Sequence, residues 1–167
     1  MMELKEKTVR KNYIYRGKIL NLRCDDALLP DGNPCRREIV EHSGGAAVLC
    51  VVEEKVGLVK QYRYAYGEEI YEIPAGKLEK GEDPVNAAIR ELSEETGLLA
   101  ERINHLFTLY PSPGYTDEKI YIYEAEGIRQ GKDHLDEGEF LNVELIPLSQ
   151  AYSMIDRGEI RDAKTVA

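Results

Sequence analysis

The segment from Gly76 to Leu98 constrains this chain more than any other part of it. Its fixed positions are Gly76, Glu82 and then the run Arg90-Glu91-Leu92-Ser93-Glu94-Glu95-Thr96-Gly97-Leu98. Written as a pattern this is GX5EX7REUXEEXGU, where U is an apolar residue. At average residue frequencies such a match arises by chance on the order of 10⁻⁹ times per window. The pattern therefore indicates both a local structure and a chemistry.

The middle of this segment predicts an α-helix between two capping residues. Asp83 suits the N-cap, Pro84 suits the first helical position, and Gly97 suits a left-handed stop. One side of the helix is mostly apolar at helical spacing, through Val85, Ala88, Ile89, Leu92 and Thr96. This side is expected to pack on a core.

Three carboxylates, from Glu91, Glu94 and Glu95, project from the same side of the predicted helix. Like charges at this spacing destabilise an isolated helix by roughly a few tenths of a kcal/mol each. They also lie towards its C-terminal end, where the helix dipole disfavours anions. A solvated acidic face partly neutralised by Arg90 is one interpretation. The other is a site for a hard divalent cation, whose preferred ligands are carboxylate oxygens, and the surrounding spacing favours it.

The complete pattern resembles the Nudix box of the Nudix hydrolase superfamily, with no departures. The resemblance implies a loop–helix–loop packed on a mixed sheet between helices, and a Mg²⁺ cofactor with Mn²⁺ as the alternative. By position it implies metal ligands at Ala75 (through its carbonyl), Glu91, Glu95 and Glu94, the last of which could instead hold a ligand in place. It further implies that Arg90 and Glu82 orient the carboxylates.

Segments outside the box are similar to the ADP-ribose pyrophosphatase subfamily. They are 37–42, 61–64, 72–79 and 112–118, the last with Pro113 16 positions after Gly97. GDP-mannose hydrolases share much of this pattern, so hydrolysis of another nucleoside diphosphate sugar or of a dinucleotide polyphosphate stays open. A non-catalytic nucleotide-sugar sensor would be expected to lack some of the metal carboxylates, and all are present here.

The subfamily resemblance also implies residues that bind the substrate. Arg63 would contact a phosphate and Arg37 the adenine side, since a guanidinium forms forked hydrogen bonds and stacks on rings. Glu72 would lie near the ribose or the metal, and Pro113 and Gly114 mark the substrate segment. For each arginine, a surface position on a strand is the alternative.

The catalytic base is expected in the acidic loop 127–139, which precedes the last predicted strand. Relatives of this type use a glutamate there, and Asp136-Glu137-Gly138-Glu139 offers Glu137 first and Glu139 second. A solvated acidic loop is the alternative for either residue. A loop of this length could close over bound substrate and bring the base to the attacked phosphorus.

The remaining pattern predicts an α+β fold or α/β/α sandwich plus a small N-terminal antiparallel sheet. The resemblance implies that this is the Nudix α/β/α sandwich with a mixed sheet. The N-terminal region, 1–42, has strand-like runs at Thr8–Arg16, Lys18–Leu29 and Cys35–Glu41, and the hydrolase domain is 43–167. In that domain a hairpin of Ala46–Val52 and Val56–Tyr64, a strand at Glu69–Ala75, and a C-terminal helix capped by Ser149 are expected. The resemblance and the exposed edges of the N-terminal sheet imply a homodimer whose N-terminal sheets complete each other's sites.

Composition excludes several other classes of protein. The net charge of −9, from 31 acidic and 22 basic side chains, argues against a nucleic-acid-binding surface. The sequence has no run of roughly 18 apolar residues, so no membrane span is expected. The three cysteines form no CxxC pair, which predicts reduced thiols. The N-terminal residues 1–7 are charged and lack the apolar stretch of a secretory signal, so a cytoplasmic protein is expected.

Overall fold

The computed structural model describes residues 3–131 and 140–167. Within these ranges the strands form a small antiparallel sheet, a larger mixed sheet and a two-stranded ribbon, accompanied by a few helices. The predicted α+β class is confirmed. No helix in the described ranges is long and apolar enough to span a bilayer.

The small sheet is built from the N-terminal residues. Its strands are β1 (Lys7–Arg10), β2 (Tyr13–Arg16), β3 (Leu20–Leu28) and β4 (Pro34–His42). β3 pairs with β4 along one edge and with β1 and β2 along the other. The single strand predicted at Thr8–Arg16 is wrong, because it breaks at Asn12. The Asn12 side-chain amide donates to the Cys24 carbonyl (3.1 Å) and the Asp26 carboxylate (3.0 Å).

The remaining elements build the body of the molecule. In chain order they are β5 (Gly45–Val52), β6 (Lys55–Arg63), β7 (Glu68–Glu72), β8 (Ala75–Lys77), α1 (Pro84–Thr96), β9 (Leu98–Leu99), β10 (Arg102–Leu109), β11 (Ile120–Glu126), β12 (Arg129–Gln130), β13 (Leu141–Pro147), α2 (Leu148–Asp156) and α3 (Ala163–Val166). The large sheet has the order β10-β11-β5-β6-β13, with β7 added to β6 and β8 to β5. β5 and β11 are parallel, whereas the other pairs in this sheet are antiparallel.

Three local predictions in this body need correction. The strand predicted at Glu69–Ala75 is wrong, because it divides at Pro74, and the two halves pair with different strands. Part of the predicted loop 127–139 is wrong, since β12 pairs with β9. The Ser149 cap is also wrong, because α2 begins one residue earlier, at Leu148, and has no side-chain cap.

Strand β5 lies between two cores because its side chains alternate between the faces of the sheet. Ala46, Val48 and Cys50 pack with the apolar side of α1. Ala47 packs on the opposite face with Ile122, Ile146 and residues of α2. Fully burying one aliphatic side chain stabilises a fold by about 1.5–3 kcal/mol, so both layers contribute substantially. The predicted α/β/α layering follows from this alternation.

The small sheet joins the body through the segment 111–118. The Val40 amide donates to the Tyr115 carbonyl (2.7 Å), and the Asp117 amide donates back to Val40 (3.2 Å). The Asp117 carboxylate also accepts from the backbone amide of His42 at 2.9 Å. These bonds hold the end of β4 beside the cavity described below.

Candidate active site

Helix α1 carries the acidic residues of the site, and its ends are defined by local chemistry. The Asp83 carboxylate accepts from the Val85 amide (3.1 Å), and Pro84 begins the helix. Gly97 has φ of 67°, and its amide donates to the Ser93 carbonyl at 2.9 Å. A left-handed residue at this place is easily accommodated only by glycine. The predicted capping residues of this helix are confirmed.

Two of the acidic side chains are buried rather than solvated. Glu91 is 7% exposed and Glu95 5% exposed. The Glu95 carboxylate accepts from the Ala75 amide at 2.8 Å. The Glu91 carboxylate lies directly over the Cα of Gly76, in the space that a Cβ at that position would occupy. A Cβ at position 76 would therefore force the Glu91 carboxylate to move.

Arg90 gathers the carboxylates around this helix. Its guanidinium donates to Glu82 at 3.1 Å, to Glu91 at 2.7 Å and to Glu94 at 2.8 Å. The hydrogen bond to Glu82 is the main cause that raises the pKa of Arg90 above its ordinary value, and the same bond lowers the pKa of Glu82. Arg90 thus stays charged and fixes the directions of three acids.

The donor set fits a hard divalent cation. Two buried carboxylates lie beside a backbone segment that has no side chain at Gly76, and oxygen ligands of this kind suit such ions. Within the described ranges, no group of three or more acidic, histidine or cysteine side chains has the arrangement of a metal-ion site. Here Glu91 and Glu94 accept hydrogen bonds from Arg90, and Glu95 accepts one from the Ala75 amide.

A cavity of about 250 Å³ opens beside Gly76. Ala75, Arg63 and Lys164 are among its lining residues, together with His42 and Glu118. A neighbouring cavity of about 350 Å³ shares Glu118 and Lys164 with it and extends to Pro111 and Ser112. The two form a cleft that runs from the acidic helix to the 111–118 segment.

A buried ion-pair network forms one wall of this cleft. Glu72 is 2% exposed, and its carboxylate accepts from Arg63 Nε (2.6 Å) and Nη2 (2.7 Å). Lys164 Nζ also donates to Glu72. Burial acts to raise the pKa of Glu72, but the bonds from Arg63 and Lys164 outweigh it, so that the pKa lies below its usual value. Glu72 is therefore a charged carboxylate between two cations, Arg63 and Lys164.

The structure brings together most of the residues proposed from the sequence. Glu91, Glu95 and Ala75 meet at Gly76, and Arg63 and Glu72 meet at the adjoining cavity. Glu82, Arg90 and Glu94 form the hydrogen-bonded group beside them.

Three proposed substrate residues lie elsewhere in the described chain. Arg37 is an exposed residue of β4 and forms a fork with the Glu6 carboxylate, at 2.9 Å from Nε. Among the described residues, the cleft is lined by Pro111 and Ser112 rather than by Pro113 or Gly114. The two candidate bases, Glu137 and Glu139, fall outside the described residues.

Lys164 is a site residue that sequence reasoning missed. It comes from α3 and is 92 positions from its partner Glu72. Nothing in the sequence near Lys164 forms a motif, so only the folded arrangement connects it to the site. His42 and Glu118 lie in segments singled out by resemblance, but without an assigned role.

Comparisons with protein families cover nearly the whole chain. Residues 41–167 match the model of the NUDIX domain. Residues 6–40 match the model of the nucleoside diphosphate sugar hydrolase N-terminal domain. The first match contains the acidic helix, all the residues that line the two cavities, and the ion-pair network of Arg63, Glu72 and Lys164.

Individual relatives also match over most of their length. The chain is 44% identical over 168 residues to the ADP-ribose pyrophosphatase of Bacillus subtilis (strain 168), which covers 99% of this chain and 91% of that protein. It is 43% identical to the methanol dehydrogenase activator of Bacillus methanolicus, covering 96% and 89%. A solved structure described as ADP compounds hydrolase has a TM-score of 0.85 at 21% identity, covering 98% and 90%. The last likeness concerns the fold alone.

Proposed function

Since this chain belongs to the NUDIX family, we propose that it hydrolyses the pyrophosphate bond of ADP-ribose to AMP and ribose 5-phosphate. The chain is a Nudix pyrophosphohydrolase. The observation that carries the proposed hydrolysis of a diphosphate is the pair of buried carboxylates, Glu91 and Glu95, beside a cleft that Arg63 lines. The full-length similarity to an ADP-ribose pyrophosphatase supports ADP-ribose within this class.

The proposed cofactor is Mg²⁺, with Mn²⁺ as the alternative, because Nudix hydrolases generally use divalent ions and the donors here are oxygens. Glu91 and Glu95 would hold it, assisted by Glu94 and by the Ala75 carbonyl. When bound, such an ion offsets the charge of a diphosphate and acidifies a coordinated water. Arg90 would release or redirect carboxylates towards the ion, since it holds Glu91 and Glu94 here.

The protein's own side chains would perform the binding and the proton transfer. Arg63 has a planar guanidinium at the cavity, which suits an oxygen of the diphosphate. Glu137 is the proposed general base that takes the proton of the attacking water, with Glu139 as the second choice. Comparing Glu137→Gln with Glu139→Gln in the same assay separates these two, because only the base variant is expected to lose most of kcat.

The test is a product-resolved substrate panel. ADP-ribose, GDP-mannose, NADH and diadenosine polyphosphates are each incubated with the protein and Mg²⁺, and again after chelation of the metal. AMP plus ribose 5-phosphate, formed from ADP-ribose with the highest kcat/KM and only with metal, supports the proposal. A higher kcat/KM for GDP-mannose or another compound would replace the substrate. Tight binding without turnover of any compound would instead indicate a sensor.

We further propose that the working unit is a homodimer formed through the N-terminal sheet. Val9, Ile14, Tyr15 and Ile19 of this sheet region are exposed apolar residues, and burying such residues against a partner is favourable. A dimer would also explain why Arg37 lies away from the cleft of its own chain. In the proposed assembly Arg37 contributes to the adenine side of the partner's site.

A cytoplasmic location is proposed from the state of the thiols. Cys24, Cys35 and Cys50 are all free in the described structure. Burial raises the pKa of the Cys50 thiol to about 11, which keeps it protonated and unreactive. Unpaired thiols suit a reducing compartment. Cell fractionation tests this, and recovery in a secreted fraction would contradict it.

A further inference from the structure

Lys164 is a buried cation near the C-terminus, and two of its three N–H donors are bonded to acids. Its side chain belongs to α3 and is 8% exposed. The ammonium group donates to the Glu72 carboxylate and to Asp162 Oδ2, the latter at 3.0 Å. A lysine shared by two carboxylates in a buried setting acts mainly on those carboxylates. Lys164 lines both cavities, and its bond to Glu72 also connects it to Arg63.

Two contacts attach helix α3, which carries Lys164, to the end of strand β7 at Glu72. The Thr165 hydroxyl accepts from the backbone amide of Ile73 at 2.9 Å, directly after Glu72. The same hydroxyl donates to Asp162 Oδ2 at 2.6 Å. Both the side chain of Glu72 and the backbone that follows it are thus held by α3 and its cap.

Glu72 in turn determines how Arg63 faces the cavity. The fork uses Nε and Nη2 of the guanidinium, and Nη1 does not take part in it. The terminal torsion of a glutamate is broad, so an added bond from Lys164 narrows the directions that the carboxylate can take. With the carboxylate fixed, the plane of the guanidinium is fixed as well.

We propose that Lys164 is a positioning residue that holds Glu72, so that Glu72 presents the Arg63 guanidinium to an anionic diphosphate in the cavity. This inference rests on the proposed function, and it assigns a role at the site to the C-terminal turn. Direct phosphate binding by the remaining N–H of Lys164, which lines both cavities, is the alternative, and the two roles predict different results in the double-mutant cycle below.

The first measurement does not depend on turnover. In the full-length protein, the arginine Nε–H resonance of Arg63 is assigned by its loss in Arg63→Lys. Lys164→Met is expected to shift this resonance and to speed its exchange with water, whereas Lys164→Arg retains it. Arg157→Met, which removes another C-terminal cation from an exposed pair with Glu159, is the control and leaves it unchanged. An unchanged resonance in Lys164→Met overturns the proposal.

The second measurement is a double-mutant cycle with ADP-ribose. Lys164→Met is expected to raise KM about tenfold and to change kcat less, since uniform phosphate binding is weakened. In an Arg63→Ala background the same change should alter kcat/KM by less than about twofold, because residues that act through one another are not additive. Lys164→Arg should restore most of the loss. Additive losses would overturn positioning and indicate direct contact with the substrate.

The two measurements separate failure of this inference from failure of the proposed function. Absence of turnover by the wild-type protein rejects the function, while the Arg63 resonance still tests the positioning role. If Lys164→Met does not fold, Lys164→Gln is carried through both measurements, because it removes the charge that holds Glu72 and keeps a polar side chain at this buried position. A smaller change in the same direction supports the proposal, and no change in the Arg63 resonance overturns it.

Discussion

At Gly76 the absence of a side chain leaves space for a carboxylate of the proposed metal site. Glu91 occupies the volume that a Cβ of residue 76 would take, and Glu95 accepts from the amide of the preceding residue, Ala75. Taking carboxylates out of water is costly unless they are paired. Arg90 offsets part of this cost, and a bound divalent ion would offset more.

The acids themselves provide the first prediction. Glu91→Gln and Glu95→Gln each lower kcat by roughly 10²-fold or more, the scale for removing a positioned electrostatic group. Steady-state assays with saturating Mg²⁺ measure this. Glu101→Gln, an exposed acid before β10, is the control and keeps wild-type turnover. Near-wild-type activity in both site variants would refute the assignment.

Gly76→Ala tests the requirement for space independently of charge. The added methyl group overlaps the Glu91 carboxylate, so the acid must move. Turnover is expected to fall as in Glu91→Gln, with a loss of about 1–3 kcal/mol in unfolding free energy from overpacking. Gly158→Ala, at φ of 71° with open space around it, should lose about 1 kcal/mol and keep full turnover. Equal kcat in the Gly76 variant and the wild type would contradict the role of Gly76.

Among the elements, α1 was predictable because its signals are local. The cap at Asp83, the proline after it and the stop at Gly97 all lie within one segment, and the structure agrees with each of them. The burial of Glu91 and Glu95 was less evident, since acids on a helix surface are more often solvated. The spacing of the whole pattern, rather than the acids alone, pointed to their role.

Helix ends give a prediction for stability. Asp83→Ala removes the N-cap bond to Val85 and should lower the free energy of unfolding by about 1 kcal/mol. Gly97→Ala places a Cβ at φ of 67° and should cost roughly 1–2 kcal/mol. Urea unfolding of both single variants and of the double variant should give nearly additive losses, because the two sites are at opposite ends of the helix. A double variant no less stable than either single one would contradict this.

Strand partners and long-range ion pairs could not be predicted from local signals. The residues from Glu69 to Ala75 read as one strand, but β7 pairs with β6 and β8 with β5. Pro74, which lacks an amide hydrogen, lies at the division. The bond from Lys164 to Glu72 joins residues 92 positions apart in the sequence, and no sequence periodicity predicts it. These features depend on which elements meet, a property of the whole fold.

For the whole molecule, the N-terminal sheet provides the test of assembly. Ile14→Glu introduces a charge among the exposed apolar residues of this sheet. In analytical sedimentation this variant should be a monomer, whereas the wild type should be a dimer. Loss of the partner's Arg37 should then lower kcat/KM by about tenfold or more, the scale of a charged contact of 1.5–3 kcal/mol. Tyr152→Glu, an exposed apolar position on α2, is the control. A wild-type protein that is an active monomer would exclude the dimer.

Strand β5 links the two cores of the body, since Ala46 and Val48 face one of them and Ala47 faces the other. A shift of this strand by one residue would move each set of side chains into the wrong core. Because both cores share β5, we expect the two helical layers to lose their packing together. In native-state hydrogen exchange, the amides of β5 should open only with those of α1 and α2 together, as a single cooperative unit.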